Sequence, residues 1–147
     1  MAKFVFRLQS YLGVKEQMEN LKKNEYGVAL RKLEEERQRK RRLEQELSEN
    51  VDDLKKTLYT LITPVEIRRY NNRIQVLQNW IVEQDERIKA AEAFAEKKRL
   101  ELVETMKERK SLETVKENSY DEYLKDEQRS EQAVVDGIVS YRYATNT

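Results

Sequence analysis

The chain contains no cysteine and no histidine, and only one proline and three glycines among its 147 residues. Without cysteine it can form neither a disulfide framework nor a thiolate metal site, and a reducing compartment suits it. Without histidine it lacks the side chain that most readily transfers protons near neutral pH. The isolated Gly13, Gly27 and Gly137 cannot build a phosphate-binding loop. We therefore expect no enzyme activity, no catalytic residue, no cofactor and no metal.

Long apolar runs and an excess of charge of one sign are also missing. No segment approaches the roughly 18 apolar residues that span a bilayer, and the first residues lack the apolar core of a signal peptide. The 29 basic and 28 acidic residues leave a net charge of +1. Because no global field attracts polyanions, we expect no binding to nucleic acid.

What the sequence has instead is a heptad pattern on a highly charged chain. The apolar stripe after the proline alternates steps of three and four residues, which indicates a coiled coil. Its members are Ile67, Tyr70, Ile74, Leu77, Ile81, Gln84, Ile88, Ala91, Ala95, Lys98, Leu102, Thr105, Arg109 and Leu112. Before the proline the stripe is looser and comprises Phe4, Leu8, Leu12, Met18, Leu21, Tyr26, Leu30, Leu33, Leu43, Leu47, Val51, Leu54, Leu58 and Leu61.

The joint between the two stripes carries a helix start signal. The Thr63 hydroxyl can accept from the amide of Glu66, while that carboxylate reaches back to the amide of Thr63. Pro64 falls at the first helical position, where its missing N–H costs nothing. Ile62 and Ile67 flank the cap as a hydrophobic staple does. These signals favour a fresh helix start over the alternative, one long kinked helix.

The predicted fold is all-α, with two long helices in an antiparallel coiled-coil hairpin and a single domain over residues 1–147. Helix 1 is expected at about 3–61, the joint at 62–64, and helix 2 at about 64–140 before a frayed C-terminal tail. A hairpin folded symmetrically about the proline makes three pairs face each other, Leu54 with Ile74, Val51 with Leu77 and Leu47 with Ile81.

Charge is densest in residues 34–42, which contain no apolar side chain. Three glutamates there precede Arg37, Arg39, Lys40, Arg41 and Arg42. The block is either a solvated helix face with favourable i to i+4 pairs, a contact for an acidic protein, or a nucleic-acid patch. In each case the seam loses apolar contacts for more than two turns, so we expect its weakest point there.

Aromatic side chains beside the seam are the next candidates for function. Trp80 and Phe94 each lie one position before a seam residue, where they either cover its edge or face outward. With Arg73, Val76 and Leu77, Trp80 would form a mixed apolar and basic strip that suits partner binding. For Tyr120 and Tyr123, the alternative to an exposed site is packing on the N-terminal segment.

The order of motifs resembles that of the flagellar export protein FliJ family. The opening motif comprises Phe4, Phe6, Arg7, Leu8, Gln9, Leu12, Val14, Lys15 and Glu16. The later block runs from Glu108 to Glu113, followed by Tyr120, Tyr123 and residues 131–136. The resemblance covers the whole chain.

The resemblance implies a non-enzymatic component of the flagellar type III export apparatus in the cytoplasm. Such proteins insert into the ring of the hexameric export ATPase FliI, touch the cytosolic domain of the export gate FlhA, and escort export chaperones. Membrane association is then only indirect. The resemblance points to Arg73, Leu77, Trp80 and Gln84 for the gate. It points to Phe4, Phe6, Leu8, Leu12, Tyr120 and Tyr123 for the ATPase ring.

Two other classes remain open at this stage. A generic structural coiled-coil scaffold would need a second apolar stripe on the outer face. A holdase chaperone would crowd apolar residues at the helix tips, and Phe4, Phe6 and Tyr141 are a hint of that.

Overall fold

The computed structural model describes residues 3–146, and these form two long helices and no strand. Helix α1 spans Gln9–Thr57 and helix α2 spans Pro64–Thr145. They pack against each other antiparallel, which confirms the all-α hairpin. The described residues divide into two compact units, one of Lys22–Leu102 and one of the residues up to Leu21 with those from Val103 onward.

The heptad stripe of α2 is confirmed residue by residue. Each of its 14 predicted members is buried or half-buried, and Leu77 is the largest fully enclosed side chain. Folding buries the apolar side chains at these positions between the two helices, and each buries a modest apolar area. The seam is therefore stabilised by many small contributions along the helix.

The stripe predicted for α1 is partly wrong. Its members Leu8, Met18, Leu21, Leu30, Leu58 and Leu61 are exposed. The buried or half-buried positions of α1 follow a regular heptad that includes Leu12, Lys15, Glu19, Lys22, Tyr26, Ala29, Leu33, Glu36, Lys40, Leu43, Leu47, Asn50, Leu54 and Thr57. Polar residues fill half of these buried positions. The spacing of apolar residues therefore points to neighbouring side chains that face solvent.

The joint begins earlier than the sequence indicates. Helix α1 ends at Thr57 instead of near 61, because the amides of Tyr59 and Thr60 bond three residues back in tight turns. Helix α2 starts at Pro64, and the Glu66 amide donates to the Thr63 hydroxyl at 3.3 Å, as predicted. The centre of the joint consequently lies before the proline.

The shifted joint changes the pairing register. Folding about Pro64 would set Gln84 opposite Glu44, whereas Gln84 donates to the backbone carbonyl of Glu36 at 2.9 Å. Lys40 pairs with Asp85 at 2.7 Å. The facing pairs predicted above, such as Leu54 with Ile74, are therefore out of register by about one turn.

The two ends of the chain also differ from the expected bounds. Helix α1 begins at Gln9 and not near 3, and the preceding residues pack without helical structure. Helix α2 continues through Gly137 to Thr145, past the expected end near 140. Every described residue after Glu127 is exposed.

Candidate partner-binding surfaces

The four residues predicted to bind the export gate lie on α2 but do not share one surface. Leu77 is fully buried and Gln84 is buried, so both belong to the seam. Arg73 and Trp80 are exposed, and the Arg73 guanidinium lies 5.3 Å from the centre of the Trp80 ring. The outward pair of these four residues is therefore a cation–π pair, and Arg73 also forms an ion pair with Glu46 of α1.

A shallow groove lies beside this pair, on the side of α1. Its volume is about 200 Å³, and Arg39, Leu43, Trp80, Glu83 and Arg87 are among its lining residues. The Trp80 side chain is 43% exposed, so part of the indole remains available to a partner. The combination can receive an apolar side chain next to an anionic one.

The dense charge block contributes one residue to that groove. Arg37 pairs with Glu92 at 3.3 Å, Lys40 with Asp85, and Arg41 with Glu34 at 3.5 Å. These contacts are those of a solvated helix face with cross-helix pairs. Arg39 instead borders the groove beside Trp80.

At the ends of the chain, the predicted ring-binding residues separate into buried and exposed sets. Phe6 and Leu12 are buried. Phe4 packs edge-on against Tyr120, with ring centres 5.2 Å apart, and against Tyr123 at 5.5 Å. Burial raises the pKa of the Tyr123 phenol above its ordinary value. Packing of both tyrosines on the N-terminal segment is thus confirmed at Phe4.

The exposed members of the same set are Leu8 and Tyr120. The last turns of α2 carry a larger apolar surface, of which the sequence analysis above singled out only Tyr141. Its members are Val134, Val135, Ile138, Val139, Tyr141 and Tyr143, all at least half exposed. The periodicity of these valines and isoleucine was the available signal, and it lay beyond the last seam position that we assigned.

Charged residues occupy the seam in Lys22–Leu102. Lys22 lies 3.2 Å from Glu101, and Lys98 lies 3.4 Å from Glu25 and 3.3 Å from Glu101. Hydrogen bonds from Lys22 and then Lys98 lower the pKa of the Glu101 carboxyl, and the bond to Glu101 raises the pKa of Lys22. These groups bind each other through charge, not through burial of apolar area.

The other unit has a second polar stretch of seam. Lys15 donates to Glu108 at 2.5 Å, which raises the pKa of Lys15. Arg109 pairs with the buried Glu19 and with Glu113 at 2.7 Å. Polar seam residues of this kind specify register and partner at some cost in stability.

Among the described residues there is no group of three or more acidic, histidine or cysteine side chains that could hold a metal. Nor does any helix in the described part of the chain have the length and apolarity needed to cross a membrane.

The fold defines the class of all-α helical hairpins, in which two long helices pack against each other and carry the exposed side chains described above. The family model of the flagellar FliJ protein matches residues 4–147. The chain therefore belongs to the FliJ family and is a component of the flagellar export apparatus. No curated protein and no solved structure matches it.

Proposed function

We propose that this protein is the cytoplasmic, non-enzymatic link of the export apparatus: its termini enter the ring of the export ATPase FliI, and its early second helix contacts the export gate FlhA. The observation that supports the gate contact most directly is the exposed Arg73–Trp80 pair beside its groove. Leu77 and Gln84 are buried in the seam of the same helix. Membrane association in this role is indirect, through the gate.

Trp80→Ala tests the gate contact. Truncation of an aromatic anchor typically costs about 2 kcal/mol or more, roughly thirtyfold in affinity. We expect this loss for the isolated gate domain in a titration, with helicity and stimulation of the ATPase unchanged. If Trp80→Ala lowers the melting temperature strongly and leaves the affinity intact, Trp80 covers the seam and the gate site is elsewhere.

The chain offers a matched control in Phe94. It lies two heptads after Trp80, is 51% exposed, and has Lys98 5.4 Å from its ring centre. Phe94→Ala removes an aromatic from the same helical position and the same kind of cation–π pair. We expect it to leave gate affinity unchanged.

The proposed ring contact uses the chain ends, where Leu8, Tyr120 and the apolar residues after Val134 are exposed. The buried Phe6 and Leu12, with Phe4 and Tyr123, position these ends. Val135→Ser with Ile138→Ser should reduce stimulation of the ATPase and leave gate affinity intact. Unchanged stimulation would remove the last turns of α2 from the ring contact.

Escort of export chaperones completes the proposed role. The exposed apolar surface at residues 134–143 also supports an alternative function, a holdase chaperone for unfolded clients. A second alternative is a generic structural scaffold. A pull-down with the full chain separates these functions. The export link requires recovery of the ATPase and the gate domain, whereas a holdase suppresses aggregation of unrelated unfolded proteins.

A further inference from the structure

The tip of the hairpin exposes more apolar surface than a solvated joint requires. Leu58, Tyr59, Leu61 and Val65 are all exposed, Tyr59 to 93% and Leu61 fully. These four residues fall within the eight positions 58–65, between the end of α1 and the first turn of α2. Large exposed apolar patches on a protein usually mark an interaction site.

Basic side chains surround this apolar tip. Lys55 and Lys56 are in the last turn of α1, and Arg68 and Arg69 follow one turn into α2. None of these four side chains takes part in an ion pair with another described residue. Glu66 is the one acidic residue between positions 55 and 69. The local charge is therefore strongly positive although the whole chain is nearly neutral.

The geometry of charge and apolar surface matches an anionic lipid surface. At 1.5 Å rise per residue, the four cations lie within about 10 Å of the ends of the helices at the joint. Interfacial apolar groups enter a bilayer by roughly 5–10 Å, which places the surrounding cations at the level of lipid headgroups. Tyr59 suits such an interface because its ring is apolar and its hydroxyl remains hydrated.

We propose that the hairpin tip binds directly to anionic membrane, with Leu58, Tyr59, Leu61 and Val65 inserted into the headgroup region and Lys55, Lys56, Arg68 and Arg69 on the lipid phosphates. A lipid surface accounts for the tip better than a protein groove does. The apolar residues come from a turn and both helix ends, whereas a groove selects residues on one helical face. Asp52 and Asp53 lie a further turn away from the tip, and their negative charges would repel anionic lipid if the hairpin inserted more deeply.

The backbone of the tip permits shallow insertion only. The amides of Leu58 and Thr60 bond to Leu54 and Thr57, and the Thr60 hydroxyl also donates to the Thr57 carbonyl at 2.8 Å. Backbone amide and carbonyl groups of the turn that lack such partners need hydrogen bonds to water. The headgroup region supplies water, whereas the hydrocarbon core does not. The proposal is therefore one of peripheral contact.

Vesicle flotation of the full chain tests this contact. The probes are vesicles of phosphatidylcholine alone and vesicles of phosphatidylcholine with an equal molar share of phosphatidylglycerol. We expect binding to the second kind only, with a loss at high salt. Lys55→Gln with Lys56→Gln should weaken binding by about 25-fold, since each surface cation contributes about fivefold. Tyr59→Ser with Leu61→Ser should weaken it by at least about tenfold.

Matched controls lie away from the tip. Val82 is an exposed apolar residue about five turns after the start of α2, and Lys107 and Lys110 are exposed lysines outside the described ion pairs. Val82→Ser, and Lys107→Gln with Lys110→Gln, should leave vesicle binding unchanged. Because the chain has no cysteine, an environment-sensitive nitrobenzoxadiazole label at Tyr59→Cys reports insertion at one site. Its emission should shift to the blue with anionic vesicles, and the label at Val82→Cys should not respond.

Three results would overturn the proposal. One is absence of binding to the anionic vesicles at low ionic strength. Another is equal binding by the tip variants and the controls, which would place lipid contact elsewhere. The last is self-association that the tip variants abolish in sedimentation velocity while vesicle binding persists. The lipid contact is independent of the proposed gate contact, since the tip variants keep Arg73 and Trp80 and should retain affinity for the gate domain.

Discussion

Gln84 of α2 donates from its side-chain amide to both the backbone carbonyl and the carboxylate of Glu36 in α1, at 2.9 and 2.5 Å. Gln84 is buried at a seam position, and its hydrogen bond is the main reason that the pKa of Glu36 lies below its ordinary value. The pair joins the two helices within the stretch where α1 has no apolar side chain. It therefore holds the register where packing is weakest.

A double-mutant cycle on this pair should be strongly non-additive. Gln84→Leu should destabilise by about 1–3 kcal/mol, because the groups on Glu36 lose a buried donor. Adding Glu36→Leu should restore or exceed the original stability, since two leucines in neighbouring layers of the seam pack well. Urea titration measures the free energy of unfolding of the original chain, of each single variant and of the double variant. Additive losses in the double variant would mean that the two residues do not act as a pair.

The register can be tested by crosslinking between two buried alanines. Ala29 and Ala95 are both buried, and the Lys98–Glu25 and Lys22–Glu101 pairs place them opposite each other. Ala29→Cys with Ala95→Cys should oxidise to an intrachain disulfide. The control is Leu33→Cys with Ala95→Cys, one turn out of register and beyond disulfide reach. Faster crosslinking in the control would favour the register centred on the proline.

The charged pairs of the seam should make the free energy of unfolding depend on pH, with a loss of stability at both acidic and alkaline pH. The folded pKa of Glu101 is lowered from its ordinary 4.5, so its contribution is complete above 4.5 and is lost as pH falls through the folded value. The folded pKa of Lys22 is raised from 10.5, so its contribution is complete below 10.5 and is lost as pH rises further. Thermal melts across pH measure both limits.

Glu101→Gln should make the acid side of that profile less steep and should lower the melting temperature at pH 7. Glu104→Gln is the control, since it removes the same charge from an exposed position on the same helix. Identical acid profiles for Glu101→Gln and the original chain would show that this cluster does not contribute to stability.

The non-helical segment before α1 should depend on Phe4. Phe4→Ala removes both aromatic contacts, each worth about 0.5–1.5 kcal/mol, and should increase amide exchange over residues 5–12 by about tenfold. Phe4→Tyr keeps an aromatic ring and should retain most of the protection. An unchanged exchange rate in Phe4→Ala would show that the buried Phe6 is sufficient to anchor the segment.

Local rules predicted the parts of this fold that depend on local chemistry. The seam of α2 is apolar at most of its positions, and the Thr63–Pro64 cap acts through neighbouring residues, so the sequence by itself determined two helices, the start of the second, and its buried face. Family membership followed from the order of motifs along the chain.

Tertiary structure alone decided the buried face of α1, the register and the exposed surfaces. Lys15, Glu19 and Lys22 lie in the seam because α2 supplies Glu108, Arg109 and Glu101 as partners. Those partners are distant in sequence, so no local pattern distinguishes these charges from solvated ones. The register then depends on where α1 stops, and the exposure of Trp80 and of the tip depends on the register.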